Sequence, residues 1–86
     1  MEIIFHRNFE KQISRLRPAE RNKLRLRLKI FLADSFNPQL NNHPLKGEWA
    51  DYRSINIGGD LRAVFKRISE DKCIFVKIGA HGELYS

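Results

Sequence analysis

"YRSINIGGDLRAVFKRI" (residues 52–68) holds two runs of alternating apolar and polar residues around Gly58-Gly59. Period-2 alternation marks a half-buried strand, and glycines between two such runs mark a hairpin. The pairing register decides which side chains share a face, because a slip of one residue sends all of them to the other side. If Gly58-Gly59 were a two-residue turn, Ile55 would face Arg62 and Ile57 would face Asp60. If Gly58-Gly59-Asp60 form a three-residue loop, Ile57 faces Leu61, Ile55 faces Ala63 and Asn56 faces Arg62. Only the second pairing gives one apolar and one polar face, so the hairpin is read that way.

Downstream, "SEDK" (69–72) is a turn and "CIFVKIG" (73–79) a third strand. Ile74, Val76 and Ile78 are expected to face the core, with Cys73, Phe75 and Lys77 pointing away. Upstream, "NPQLNNHP" (37–44) is turn chemistry, and "EIIFH" (2–6) is a short β-branched and aromatic strand. Asn8 is expected to cap a helix carrying Phe9, Ile13 and Leu16, and Arg17-Pro18 breaks it. Pro18 suits the first turn of a second helix.

That second segment, "RNKLRLRLKIFLADSF" (21–36), alternates locally, yet its Leu, Arg and Lys favour helix and its length exceeds a typical strand. On a helix, Leu24, Leu28, Phe31 and Leu32 share one arc of roughly 100°, and Leu26 and Ile30 fall opposite. The order β-α-α-β-β-β makes an α+β fold: a helical hairpin packed on one face of a small, largely antiparallel sheet.

A chain of 86 residues allows one domain, residues 1–86, with a modest core. The hydrophobic fraction of 42% argues against disorder. No run approaches the length that spans a bilayer, and "MEIIFHRNF" lacks a secretory pattern. The one cysteine, Cys73, lies in an apolar run and suits a buried thiol in a reducing compartment, so a cytoplasmic protein without membrane contact is expected. The net charge of +6 is concentrated: residues 11–29 hold eight Lys/Arg and one acid, Glu20. Such a segment attracts polyanions, whether nucleic acid or an acidic protein.

The second sheet face then presents Ser54, Asn56, Arg62, Lys66 and Lys77. Asp60 sits in the hairpin loop, His43 and Lys46 in the segment leading into the sheet, and His81 and Tyr85 just past the last strand. Cations, imidazoles, a carboxylate and a phenol on one concave surface suit RNA cleavage without a metal or other cofactor. One group takes the ribose 2′-OH proton, a second protonates the departing 5′-oxygen, and cations stabilise the phosphoryl charge. Histidine fits either proton-transfer role, arginine the phosphate, and tyrosine a splayed base. Taken singly, each residue also fits a plainer part: His43 a turn, Arg62 a cross-strand partner for an acid, Trp49 core or rim packing. The signal lies in their joint placement. No P-loop, CxxC pair, GxSxG or HExxH is present, so nucleotide binding, structural zinc and serine hydrolysis lack support.

"HPLKGEWADYRSINIGGDLRAVFKRI" (43–68) with "VKIGAHGELY" (76–85) resembles the RelE/ParE superfamily of bacterial toxins from type II toxin–antitoxin systems, and within it the RelE branch that includes YafQ-like mRNA interferases. The resemblance runs over nearly the whole chain, is strongest from His43 to Tyr85, and implies a RelE-like fold. It also implies a ribosome-dependent endoribonuclease that cuts mRNA on the ribosome and is silenced by a cognate antitoxin. Separately, the basic helices with the Leu26 and Ile30 stripe are expected to seat an acidic, amphipathic antitoxin segment or an rRNA surface. Residue by residue, the resemblance makes His43 an active-site histidine, Asp60 the loop aspartate, Arg62 the phosphate-binding arginine, His81 the catalytic histidine that serves as general acid, and Tyr85 the terminal aromatic. His43 and Asp60 both remain candidates for the general base. Lys77 stands where these toxins usually carry arginine, and Asn56 and Leu61 where YafQ-like toxins carry histidine and tryptophan. Lys46, Asn56, Lys66, Lys77 and Tyr85 make up the expected substrate-binding set. The alternatives are a ParE-like topoisomerase poison and a non-catalytic RNA- or antitoxin-binding module. ParE-type relatives generally lack the terminal histidine, so His81 favours the nuclease.

Overall fold

A computed structural model of the chain describes residues 1–84, the side chain of Glu83 apart. Strand β1 (Glu2–Phe5) leads into helices α1 (Arg7–Ser14) and α2 (Pro18–Ala33). Strands β2 (His43–Pro44), β3 (Arg53–Gly58), β4 (Leu61–Ser69) and β5 (Lys72–Ala80) follow, and a single turn of helix, α3 (His81–Leu84), ends the described chain. The five strands form one sheet in the order β1-β5-β4-β3-β2. β1 runs parallel to β5, and every other pair is antiparallel. The α+β layering expected from the sequence is present, with β2 and α3 added to it.

Helix starts follow local chemistry. α1 begins two residues after β1, and His6, not Asn8, caps it: the His6 Nδ1 accepts from the Asn8 N–H at 3.0 Å. α2 opens on Pro18, whose missing N–H costs nothing in a first turn. The Glu20 carboxylate accepts the Arg17 N–H at 2.9 Å and faces the Arg17 guanidinium at 3.4 Å. No helix among the described residues is long and apolar enough to cross a membrane.

Both helices cover one sheet face. Phe9 of α1 and Leu24 and Phe31 of α2 pack with Leu40, Ile55, Ile57, Ala63, Phe65, Cys73, Phe75 and Ile78. Phe75 lies at the centre, with ring centroids of Phe65, Phe31 and Phe9 at 5.1, 5.4 and 5.6 Å. Leu28 and Ile30 pack partly against this core, whereas Leu32, expected inside, is 51% exposed and Leu26 is 50% exposed. α2 therefore does not bury two opposite stripes. It rests on the sheet through Leu24, Leu28 and Phe31, and Ile30 leans in from the side.

The hairpin register is largely the expected one: Ile55 pairs with Ala63 and Asn56 with Arg62. At the tip, however, Gly58 rather than Ile57 pairs with Leu61, because Ile57 is the extra residue of a bulge. A Cβ at Gly58 would meet the Lys23 Cδ at 2.9 Å, so glycine there lets α2 lay Lys23 across the tip.

The larger correction is in β5. Val64 pairs with Lys77 and Phe65 with Phe75, which leaves Val76 as a bulged residue. Before the bulge Cys73 and Phe75 face the helices; after it Ile78 does, and Lys77 points away. The sequence reading put Cys73 and Phe75 on the outer face because it assumed unbroken alternation. Beyond Phe5 the free edge of β5 is covered by α1, where the Gln12 side chain accepts the Ile78 N–H at 2.8 Å.

Candidate active site on the open sheet face

The face away from the helices is built by cross-strand rows. His43, Ser54, Val64 and Lys77 form one row across β2, β3, β4 and β5. Asn56, Arg62 and Gly79 form the next. Lys66 lies two residues beyond Val64 on the same side of β4. Three inter-strand spacings separate the ends of the first row, about 14 Å, which is wide enough for a polynucleotide strand to lie between them.

Arg62 is oriented before any ligand arrives. Its Nη1 donates to the Asn56 Oδ1 at 2.8 Å and to the Gly59 carbonyl at 3.1 Å. Its Nη2 and Nε make no hydrogen bond among the described residues, leaving one edge of the fork for an anion. His43 is oriented from behind, with Nδ1 2.7 Å from the Asn41 carbonyl. A carbonyl only accepts, so Nδ1 carries the proton and Nε2 of the neutral ring carries the free lone pair. Asn41 holds the left-handed conformation (φ 47°) that aims this carbonyl.

Asp60 is exposed in the hairpin turn, and its carbonyl accepts the His81 N–H at 3.1 Å. That bond ties the start of α3 to the turn beside Arg62, while Asp60 also lines a cleft on the helix side of the hairpin tip. Lys46 is exposed just before the Gly47–Trp49 helical turn. Tyr85 lies outside the described residues.

Two residues the sequence reading did not place in the site occupy its middle. The Trp49 and Tyr52 rings meet edge to face at 4.9 Å. The Lys77 Nζ sits 4.9 Å from the centre of the Trp49 ring, and the Lys66 Nζ 5.5 Å from that of Tyr52. Ser54 and Val64 are both buried on this side of the sheet. The Ser54 Oγ is buried with no hydrogen-bond partner among the described residues. The signal available in the sequence was a Trp-x-x-Tyr pair immediately before the hairpin whose second strand carries Arg62 and Lys66 outward.

Among the described residues the two ion pairs are Arg17–Glu20 and Lys72–Glu2, and neither involves Arg62, Lys66 or Lys77. The charges of Arg62, Lys66 and Lys77 are thus unneutralised by acids, a field suited to a polyanion. Behind the hairpin tip, a cleft of about 740 Å³ lies between the α1–α2 turn and the ends of β3 and β5, and Arg15, Arg17 and Lys23 line it. No group of three or more His, Cys, Asp or Glu among the described residues could hold a metal ion.

Solved structures share this architecture. YafQ from E. coli strain BL21(DE3) superposes with a TM-score of 0.82 at 19% identity, covering 99% of this chain and 98% of that one. YafQ in the E. coli DinJ–YafQ toxin–antitoxin complex gives 0.79 at 20% identity, covering 99% and 97%. A YoeB/ParE toxin from Agrobacterium tumefaciens gives 0.78 at 19%, covering 94% and 99%. At these identities the likeness is one of fold. Among curated proteins, none matches the sequence. The family model for YafQ, a bacterial toxin of type II toxin–antitoxin systems, matches residues 1–86. The chain therefore belongs to the YafQ family of type II toxins.

Proposed function

We propose that the open sheet face is the active site of a ribosome-dependent mRNA endoribonuclease working in the cytoplasm. The observation that carries this reading is Arg62, with a free guanidinium edge, and His43, with a bare Nε2, both pre-oriented on a face whose cations Arg62, Lys66 and Lys77 pair with no acid among the described residues. His43 Nε2 takes the proton of a ribose 2′-OH, and that oxygen attacks the adjacent phosphorus. The P–O5′ bond breaks, leaving a 2′,3′-cyclic phosphate, and His81 protonates the departing 5′-oxygen. Arg62 stabilises the charge on the non-bridging oxygens, and Asn56 holds Arg62 in place. Lys46, Lys66 and Lys77 bind the flanking backbone, and Tyr85 stacks on a base. The 2′-OH requirement restricts the reaction to RNA.

As E. coli YafQ is seen with DinJ, this toxin is held silent by a cognate antitoxin. An acidic, amphipathic antitoxin segment would meet Leu26, 50% exposed, between the cations Arg25 and Lys29. The remaining basic side chains of the helices face rRNA.

The test is to map 5′ ends of cellular mRNA after brief induction of the wild type and of His81→Ala, Arg62→Ala, His43→Ala and Asp60→Ala variants. Cuts locked to the reading frame are expected for the wild type. They should vanish in His81→Ala, and slow about 10²–10³-fold in Arg62→Ala, as for loss of an oxyanion donor. Full cleavage by His43→Ala alongside loss in Asp60→Ala would move the base to Asp60. Intact mRNA accompanied by DNA damage would overturn the nuclease reading in favour of topoisomerase poisoning.

A further inference from the structure

Lysine differs from arginine at a phosphate site in being a point charge on a flexible stem rather than a rigid fork. On this face Lys66 of β4 and Lys77 of β5 rest on aromatic rings. The Lys77 Nζ lies 4.9 Å from the Trp49 ring centre and the Lys66 Nζ 5.5 Å from that of Tyr52. The two rings brace each other at 4.9 Å. Their loop is closed on itself: the Tyr52 N–H donates to the Trp49 carbonyl at 2.9 Å, and the Leu45 N–H to the Tyr52 carbonyl at 3.0 Å. Glu48 and Asp51 stand in the same loop, yet neither forms an ion pair with a described residue. Resting an ammonium on a ring fixes its position without neutralising it, whereas an acid would do both.

We propose that Trp49 and Tyr52 are positioning residues that hold the Lys77 and Lys66 ammonium groups as two fixed, uncompensated charges for the RNA backbone. This rests on the nuclease reading above. The opposing reading, that the rings are base-stacking platforms, would have a base compete for the ring face that already carries a lysine in each case.

Trp49 is the only tryptophan of the chain, so its fluorescence reports on the contact without any cleavage. Lys77→Met is expected to change Trp49 emission in the free protein, and Lys77→Arg to retain most of the wild-type signal. Cleavage is then followed in single turnover on ribosomes carrying a defined mRNA. Trp49→Leu should lower the rate at saturation about 3- to 30-fold, the range of a cation–π contact, and Trp49→Phe should restore most of it. Trp49→Leu should add little in a Lys77→Met background, which a purely structural loss would not reproduce. Additive effects of the two changes, or unaltered emission in Lys77→Met, would overturn the proposal. So would a Trp49→Leu defect confined to half-saturation, the mark of base stacking. Arg62→Ala and His81→Ala in the same assay separate the two readings. If both cut like wild type, the nuclease site itself is wrong and the positioning role falls with it. If both fail while Trp49 and Lys77 act additively, only the positioning role falls.

Discussion

Arg62 reaches the open face with one nitrogen committed to Asn56 and Gly59, so its remaining edge is aimed before any ligand is bound. Pre-orientation of this kind lowers the cost of gripping a charge that develops only in the transition state. Asn56→Leu removes the acceptor while keeping Arg62, and cleavage is expected to fall about tenfold, the low end for a hydrogen bond to a charged group. In an Arg62→Ala background the same change should do little more. An undiminished rate in the single variant would show that Gly59 alone suffices to hold the guanidinium. Residue types were readable in the sequence, and so was the Asn56–Arg62 pairing. The stacking of Lys77 and Lys66 on Trp49 and Tyr52 was not, since it depends on a loop folding over the sheet, which no local pattern encodes.

At the level of elements, α2 illustrates how far local chemistry reaches. The Arg17 N–H bonded to Glu20, and then the Arg17 guanidinium, hold the Glu20 carboxyl below its ordinary value. A carboxyl that ionises more readily in the folded than in the unfolded chain stabilises the fold at neutral pH. That contribution is lost as pH falls through the lowered folded value. Glu20→Ala should therefore melt lower than wild type at pH 7, with the gap closing in acid, as thermal denaturation across pH would read. A gap that does not change with pH would assign the effect to helix propensity instead. The hairpin was legible at this scale because only one register separates its faces. The bulge at Val76 was not, because an extra residue leaves no mark in a run that is apolar on both sides.

For the whole molecule, the two sheet faces have opposite tasks. One is closed by helices over a cluster of phenylalanines, and the other stays open and cationic. Phe75 joins the parts, touching rings from α1, α2 and β4. Phe75→Ala should cost about 3–5 kcal/mol and lower the thermal midpoint by roughly 15 °C or more, measurable by circular dichroism. A shift of only a few degrees would mean that the cluster re-closes over the gap. The sequence by itself determined the α+β class, the order of elements, the hairpin's central pairs and the concentration of charge on the helices. Each of these follows from periodicity, turn chemistry and composition, which are local. Only the tertiary structure decided that Cys73 and Phe75 face inward, that Leu32 does not, and that Trp49 and Tyr52 carry the lysines of the open face. Those outcomes depend on which distant surfaces meet: a bulge is worth its lost ladder bond only when Phe75 and Ile78 can both be buried under the helices.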